Sequence, residues 1–492
     1  MSWKSLLPTS KQNFLQFHAH FVATGLSNHS IPLRHLLSSA ALHGGPDYAI
    51  TILAHFSHGP TTFLSNTIIS IFASQNHPVC YSWYVYSSLL YRHCLLPNSY
   101  SYPSLLKSLS TSEDWNFHAR CIHTHIVKFL GGIGDRFVGA SLVSFYGRRG
   151  MIKACRYLFD EMLDPDLPTW NSLLAAYLRA GGGERDETFF FHYDDECRSN
   201  SLGLFRDMLL RGLAPDEMTF VAVLGVCGDV GALSQGMWAH GYILRHSNKV
   251  VLNQYVRSAL IQMYGKSGRL DLAVEVFDEM KTRDTPCYNA MISCLAVHGN
   301  GHCAIGLYEI MKLNGTKVDE STMISVLSAC SHAVLVEEGR RCFEEMTTIL
   351  NIEPKIEHYC CLIDLLGRAG KVRDAIDIFR QVPMKPTAIM YRSLLSSCRI
   401  HGESELEMDG DVVKKLMELD PDHAGNYVMV SNMYANGEEW DSVKKIRTAM
   451  REMGVRKSPG ISSIEIDGFV YEFSTGYAEP YVEEISRSLI TR

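Results

Sequence analysis

The sequence has no Cys-x-x-Cys pair, although it contains 14 cysteines, and only Cys360 and Cys361 are adjacent. Zinc sites and disulfide frameworks use cysteines at short, regular spacings. The scattered cysteines therefore argue against both kinds of site and favour buried, free thiols in a reducing compartment. We expect no metal ion and no cofactor.

Long apolar runs and an excess of basic residues are also missing. No stretch reaches the roughly 20 apolar residues of a membrane helix, so we expect no membrane partner. The formal net charge is -7, whereas a surface that attracts phosphates over its whole area is basic. Binding to RNA would therefore need a local groove of lysines and arginines.

Acidic residues are absent from the first 46 positions, which contain seven serines. Organelle transit peptides have this composition, but they are usually richer in arginine, and Arg34 is the only one here. The segment is therefore a weak candidate for a transit peptide.

One pattern is present three times without a gap, in Leu142–Met162, Leu260–Met280 and Leu362–Val382. In the second copy, Gly265 and Gly268 are predicted to end a first helix. A second helix follows, with Ala273, Phe277 and Met280 on one face at i, i+4 and i+7. A single hairpin cannot bury such a stripe, so the hairpins must stack into an all-α solenoid.

Repeat lengths alternate: one cycle consists of units of 31, 35 and 36 residues that end at Asp284, Asp319 and Lys355. Several units close with FDEM or open with WN or YN. This combination resembles the plant pentatricopeptide repeat proteins of the mixed-length (PLS) subclass. The resemblance implies a right-handed superhelix of helix-turn-helix hairpins. It places a candidate transit peptide running into a degenerate repeat at 1–30, a degenerate repeat at 31–61 and nine repeats over 62–387.

An insertion, Ala180–Asn200, lengthens one hairpin and is predicted to be a loop. His192, Asp194, Asp195 and Glu196 are imaginable as metal ligands there. A solvated loop is the favoured interpretation, because no second cluster of ligands accompanies them.

The region after the repeats resembles the family's paired C-terminal extension hairpins (E/E+ type) over 388–455 and the beginning of a truncated proline-glycine box over 456–492. Some family members continue into a zinc-dependent cytidine deaminase (DYW) domain with H-x-E and P-C-x-x-C motifs. Up to Arg492 the only H-x-E string is His401-Gly402-Glu403, without a cysteine pair after it. We therefore expect no enzyme activity, and a deaminase-bearing repeat protein that acts in trans through the extension.

Base recognition in this family uses the fifth and the last residue of each repeat, so that one repeat reads one base. The resemblance places these pairs at Asn66 with Asn98, Ala140 with Asp166, Asn171 with Asp216, Ser258 with Asp284, and Asn289 with Asp319. It implies uracil for Asn with Asp, a pyrimidine for Asn with Asn, guanine for Ser with Asp, and poor discrimination at Ala140.

Four other repeats are predicted to discriminate little, because their fifth residues are Pro103, Val221, Ile324 and Cys360, the last paired with Thr387.

The polar pairs have an alternative explanation, helix capping. Asn and Asp near a helix start are good caps, so each residue taken alone could cap a helix without touching RNA. The recurrence of Asn at one offset favours base recognition.

The leading hypothesis is a site-recognition factor for C-to-U editing of single-stranded organelle RNA, in the mitochondrion rather than the chloroplast. A second hypothesis is an RNA stability, splicing or translation factor. A third is a protein-interaction solenoid, since helical arrays also bind peptides.

Overall fold

The computed structural model describes residues 11–26, 29–55, 60–110, 115–132, 134–182, 193–246, 252–401, 410–457, 461–466 and 469–474. The chain divides into two compact units, residues 1–180 with 210–213 and residues 181–209 with 214–492. Across the described ranges, no helix has the length and apolar character to cross a membrane.

The first unit consists of helical hairpins. Its helices are α1 (Lys11–Ala23), α2 (Ser30–His43), α3 (Pro46–Ala54), α4 (Thr62–Ser74), α5 (Val79–Tyr91), α6 (Ser101–Leu109), α7 (Trp115–Leu130), α8 (Arg136–Arg148), α9 (Ile152–Glu161) and most of α10 (Leu167–Gly182). The first helices α2, α4, α6 and α8 pack side by side, and the second helices lie beside them. Helix α1 buries Phe14, Phe17 and Phe21, so the segment resembling a transit peptide is packed helix from Lys11 to Ala23.

The second unit repeats the arrangement. It contains most of α11 (Tyr193–Leu210), then α12 (Glu217–Val230), α13 (Leu233–Arg245), α14 (Gln254–Lys266), α15 (Leu270–Asp278), α16 (Thr285–Val297), α17 (Gly301–Leu313), α18 (Glu320–Ala333), α19 (Val336–Thr348), α20 (Ile356–Arg368), α21 (Val372–Gln381), α22 (Ala388–His401), α23 (Gly410–Leu419), α24 (Ala424–Asn436) and α25 (Trp440–Glu452). Helices α12, α14, α16, α18, α20 and α22 form a continuous row. The predicted α-solenoid of stacked hairpins is confirmed.

A short β-hairpin follows the last helix and lies outside the solenoid pattern. Strands β1 (Ile461–Ile466) and β2 (Phe469–Ser474) pair antiparallel, with Ile461 opposite Ser474 and Ile466 opposite Phe469. The segment was assigned to the truncated proline-glycine box, for which no secondary structure was predicted.

The apolar stripe of the second helix is confirmed, since Ala273, Phe277 and Met280 are all buried. The expectation for the cysteines holds for about half of them. Seven of the 13 described free cysteines are buried, whereas Cys80, Cys94 and Cys303 are exposed.

The insertion is shorter than the sequence indicated. Residues 193–200 belong to α11 rather than to a loop, and α10 extends to Gly182. The second helix of this repeat therefore begins earlier than the spacing of its apolar residues indicates. Asp194, Asp195 and Glu196 lie in this helix, and His192 lies outside the described residues.

The two turn glycines have different roles, and the prediction for Gly265 was wrong. Gly268 has φ +77°, which allows the chain to reverse after α14. Gly265, in contrast, lies inside α14, where an added Cβ atom would come within 2.5 Å of Cys294 Sγ on α16. The missing side chain at Gly265 thus lets successive first helices approach closely.

We expect Gly265→Ala to destabilise the protein by about 1–3 kcal/mol, because the new methyl group overpacks the contact with Cys294. Thermal unfolding followed by circular dichroism measures this loss. Gly306→Ala is the matched control, since Gly306 is an exposed position of α17 with open space around its Cα. It should stabilise α17 by about 0.5–1 kcal/mol. Equal effects of the two substitutions would contradict the close-packing role.

Candidate nucleic-acid interface

Where a repeat ends in Asp, that residue caps the first helix of the next repeat. Asp216 accepts a hydrogen bond from the backbone N–H of Thr219 at 2.9 Å, and Asp319 accepts one from that of Thr322 at 2.8 Å. Both pairs are complete capping boxes. Asp284 accepts in the same way from the N–H of Cys287 at 3.3 Å. For these last-position residues, the capping explanation is therefore correct.

The fifth residues, in contrast, do not cap. Thr61 caps α4 and Asp284 caps α16, so Asn66 and Asn289 lie in the second turn of their helices. Backbone amides at that depth already have helical partners. The capping explanation is therefore wrong for these asparagines, whose side chains are available for another role.

Asn289 and Asp319 are brought together by the stacking of two repeats. Asn289 Nδ2 donates to Asp319 Oδ1 over 3.2 Å. An ionised carboxylate only accepts hydrogen bonds, so this contact fixes which end of the amide faces Asp319. Asn289 Oδ1 is buried, and among the described residues it has no hydrogen-bond partner. The contact with Asp319 thus fixes the position of the Asn289 amide, while the amide oxygen has no hydrogen bond to a described residue.

Several donors converge on Asp319. Burial opposes its ionisation, but hydrogen bonds from Thr322 and Asn289 outweigh burial and hold the pKa of the carboxyl below its ordinary value of 3.8. The side chain is therefore a carboxylate at neutral pH. It caps α18 and positions Asn289 with the same oxygen atom.

Asn66 and Asn98 are also joined. Asn66 Nδ2 donates to Asn98 Oδ1 at 2.9 Å, and Ser101 Oγ donates to Asn66 Oδ1 at 2.7 Å. Unlike that of Asn289, the amide oxygen of Asn66 is therefore partly occupied by a hydroxyl group. Asn98 is exposed.

The structure links Ser258 and Asp284 through a third residue. Ser258 Oγ donates to Cys287 Sγ at 3.4 Å, and Asp284 accepts from the N–H of Cys287. Burial and then the neighbouring Asp284 raise the pKa of the Cys287 thiol to about 11, so the sulfur is protonated at neutral pH. Ser258 is only 9% exposed, less than the partly exposed Asn289.

The two remaining pairs differ in kind. Asp166 accepts from the N–H of Thr169 at 3.1 Å, while partly exposed Ala140 offers no polar atom. Asn171 belongs to the first compact unit and Asp216 to the second. Each lies at the predicted place in its own helix, Asn171 as the fifth residue of α10 and Asp216 as the cap of α12.

Pro103, Val221, Ile324 and Cys360, the fifth residues predicted to discriminate little, are all partly exposed at equivalent positions. Burial, followed by the charges of Glu357 and Asp364, raises the pKa of the Cys360 thiol to about 11. It is a neutral and weak hydrogen-bonding group there. Thr387 Oγ1 is buried without a hydrogen-bond partner among the described residues.

Exposed apolar side chains one helical turn before the fifth residues were missed by the sequence reasoning. Phe63, Phe137 and Tyr255 are 49%, 58% and 60% exposed, although large aromatic rings usually lie inside. Each precedes the fifth residue by three positions, which places the two on one face of the helix. Tyr100 and Met218 occupy the same position in longer repeats and are exposed as well. Their recurrence at a fixed offset was the available signal.

Basic residues lie at the other end of the first helices, and their surroundings differ between the units. In the second unit, Lys266 forms an ion pair with Asp229 at 2.5 Å, and Arg368 pairs with Asp364 at 2.8 Å. In the first unit, Arg148 and Arg179 form no ion pair with any described residue. Burial, and then the charge of Arg148, lower the pKa of Arg179. Two guanidinium groups that repel each other are a suitable place for an anion.

No group of three or more His, Cys, Asp and Glu side chains in the described part of the chain is arranged to hold a metal ion. His401 is the last residue of α22, and Glu403 lies outside the described residues.

Family models match this chain in two regions. The model described as PPR repeat matches residues 141–164, 255–285, 286–316 and 357–385, and the model described as E motif matches residues 403–465. A pentatricopeptide repeat-containing protein of Arabidopsis thaliana is 40% identical over 464 residues, which cover 92% of this chain and 95% of that protein. The chain is a pentatricopeptide repeat protein. Its repeats of alternating length and its E motif are those of the mixed-length subclass with an E extension.

Other relatives carry organelle names. An Arabidopsis thaliana pentatricopeptide repeat protein named as mitochondrial is 32% identical, with 98% of this chain and 77% of that protein covered. Another, named as chloroplastic/mitochondrial, is 34% identical, with 87% and 66% covered.

The fold is shared with a solved structure. The crystal structure of the pentatricopeptide repeat protein PPR10 in complex with an 18-nt psaJ RNA element matches with a TM-score of 0.60 at 16% identity. The match covers 90% of this chain and 64% of the PPR10 chain.

We expect Asp319→Ala to cost about 1 kcal/mol of stability at neutral pH, because α18 loses its cap. A carboxyl with a lowered folded-state pKa contributes stability above its unfolded pKa of 3.8 and loses it as the pH falls through the folded value. The difference from the unaltered protein should therefore shrink below about pH 4. Urea unfolding across this pH range measures it. Asp319→Asn is the control, since Asn caps about equally well and should lose only a few tenths of a kcal/mol. Equal losses at every pH would contradict the assignment.

Proposed function

We propose that this protein binds single-stranded RNA sequence-specifically and selects sites for C-to-U editing in organelle transcripts. The observation that carries the proposal is the Asn289–Asp319 pair. Two stacked repeats hold the Asn289 amide by one end, and its oxygen has no partner among the described residues. A buried acceptor of this kind gains a full hydrogen bond when a donor arrives.

The chemistry of the pair suits uracil. Uracil carries an N–H on its Watson-Crick edge, which can donate to Asn289 Oδ1, whereas the corresponding ring nitrogen of cytosine only accepts. Asn66 differs, because its oxygen already accepts from Ser101. Its amide therefore distinguishes the pyrimidines less, in agreement with the implied preference of Asn66 with Asn98. Ser258 with Asp284 is proposed to read guanine, and Asn171 with Asp216 uracil.

Stacking and charge supply affinity that does not depend on sequence. The exposed rings of Phe63, Phe137 and Tyr255 offer surfaces for bases next to the reading positions. Arg148 and Arg179 offer an anion site for the RNA backbone. Affinity should fall with salt as these phosphate contacts exchange with counterions.

The E motif over residues 403–465 supports the editing role. We propose that the extension recruits a deaminase-bearing repeat protein in trans, and that this chain supplies the position of the cytidine and no chemistry of its own. Two of the relatives are named as mitochondrial and as chloroplastic/mitochondrial, and we propose the mitochondrion as the compartment.

We expect Asn289→Ser to abolish the preference for uracil at one position of the bound RNA, which corresponds to a loss of about 5- to 150-fold in affinity for uracil there. Selection from a random RNA pool, followed by sequencing of the bound molecules, measures this. Ile324→Ser in the next repeat is the matched control and should leave the Asn289-dependent position unchanged. A protein that binds RNA normally but shows the same base frequencies after Asn289→Ser would contradict base reading. Failure of the unaltered protein to bind RNA at low salt would leave a protein-interaction solenoid.

The editing role has its own test. RNA sequencing of organelles from plants that lack the gene should show at least one cytidine that is no longer converted. If all cytidines are converted normally while transcript ends or introns change, the protein acts in RNA stability, splicing or translation instead.

A further inference from the structure

Among the described residues, a histidine of a second helix contacts a tyrosine of the following first helix at two places. His123 Nδ1 on α7 is 3.0 Å from the hydroxyl of Tyr146 on α8, and His240 Nδ1 on α13 is 2.9 Å from that of Tyr264 on α14. In both cases a second helix meets the first helix of the following hairpin. The two sites are therefore copies of one scaffold, whose other residues can be compared position by position.

At the first copy the scaffold borders an open groove of about 580 Å³. The lining residues are Arg120, His123, Thr124, Val127, Lys128 and Tyr146. On α7, Phe117, Arg120, Thr124 and Lys128 follow one another at spacings of three, four and four, so they share one face. All four are exposed. One side of α7 thus presents two cations, a hydroxyl group and an aromatic ring.

The two cations are available to a ligand. Neither Arg120 nor Lys128 forms an ion pair with a described residue. Eight residues separate them, which is about 12 Å along the helix, so they can meet two different phosphates of one strand. Among the described residues, Glu161 is the one carboxylate whose charge acts on His123, and it also accepts a hydrogen bond from Tyr157.

The second copy is less basic. Met237 and Gly241 stand where Arg120 and Thr124 stand in the first copy, and Arg245 corresponds to Lys128. His240 faces Glu279 and Glu275, with Arg257 also near. The shared scaffold therefore does not account for Arg120, which has no charged counterpart in the second copy.

Charge along the chain follows the same division. Residues 1–134 contain seven Lys and Arg against three Asp and Glu, although the whole chain has a net charge of -7. Such an asymmetry points to a polyanionic partner at the N-terminal part. Five of the six lining residues lie within this part, and Tyr146 follows it.

We propose that the groove formed by Arg120, Thr124, Lys128 and Tyr146 binds the phosphate backbone of single-stranded RNA, apart from the base-reading residues. Tyr146 lies nine residues after Phe137, about 14 Å along α8, so the groove is at the opposite end of the helix from the reading position. RNA is favoured over an acidic protein because Phe117 is 71% exposed beside the cations, and a ring next to cations suits base stacking.

This inference rests on the proposed RNA binding, and a double substitution, Arg120→Ala with Lys128→Ala, tests it. Both side chains are exposed, so the fold should persist, which circular dichroism checks. Binding to oligo(U) and to oligo(A) RNA of equal length is measured over a range of salt concentrations. Removing two phosphate contacts should reduce the slope of log K against log salt by about 1.4. Affinity should fall by the same factor for both RNAs, because phosphates carry no sequence.

Arg245→Ala in the second copy is the matched control and should leave the slope unchanged. A double variant with an unchanged slope overturns the inference, as does a loss confined to one of the two RNAs, and an acidic protein would then be the partner of the groove. The base preferences read from Asn289→Ser are a separate result, so they can hold when the groove proposal fails. If the unaltered protein binds neither RNA, the proposed function and this inference fail together.

Discussion

The repeat boundaries that end in Asp share one hydrogen-bonding arrangement, in which the carboxylate accepts from a free backbone amide at the start of the next helix. The amides at a helix start have no partner inside the helix, so a side chain must satisfy them. At Asp319 the same oxygen also receives the amide of Asn289 from the repeat before. The geometry of this proposed reading pair is thus fixed by the contact that starts the following helix, and one atom serves both the fold and the proposed recognition.

Close packing of the first helices keeps these pairs at regular distances. Gly265 has no Cβ atom, which allows α14 to lie directly against Cys294 of α16. Gly147 has the same relation to Ala176, where an added Cβ atom would come within 2.7 Å. Dense packing leaves little freedom to change such spacings. The regular spacing of the proposed reading residues therefore depends on Gly265 and Gly147, which are not among those residues.

The acidity of the chain is compatible with an RNA-binding surface because acidic and basic residues are distributed unevenly. In the second unit, Lys266 and Lys312 are neutralised by Asp229 and by Glu345. In the first unit, four basic side chains have no ion pair among the described residues. They are Arg148 and Arg179 on first helices, and Arg120 and Lys128 on α7. The net charge sums over both units, whereas an approaching phosphate interacts with the charges nearest to it.

The sequence by itself determined the repeat and its period, and with them the α-solenoid, because an apolar stripe at helical spacing can be buried only against a neighbouring copy. It also located the fifth and last residues of each repeat. Only the tertiary structure decided what these residues do. Asp319 caps a helix and Asn289 does not, and Ser258 turns to Cys287 instead of Asp284. Three further features could not be predicted from the sequence pattern. They are the place of Gly265 inside a helix, the extension of α11 to Tyr193 and the groove beside Tyr146. Each depends on contacts between residues some 25–40 positions apart, or on a local helix preference that periodicity does not encode.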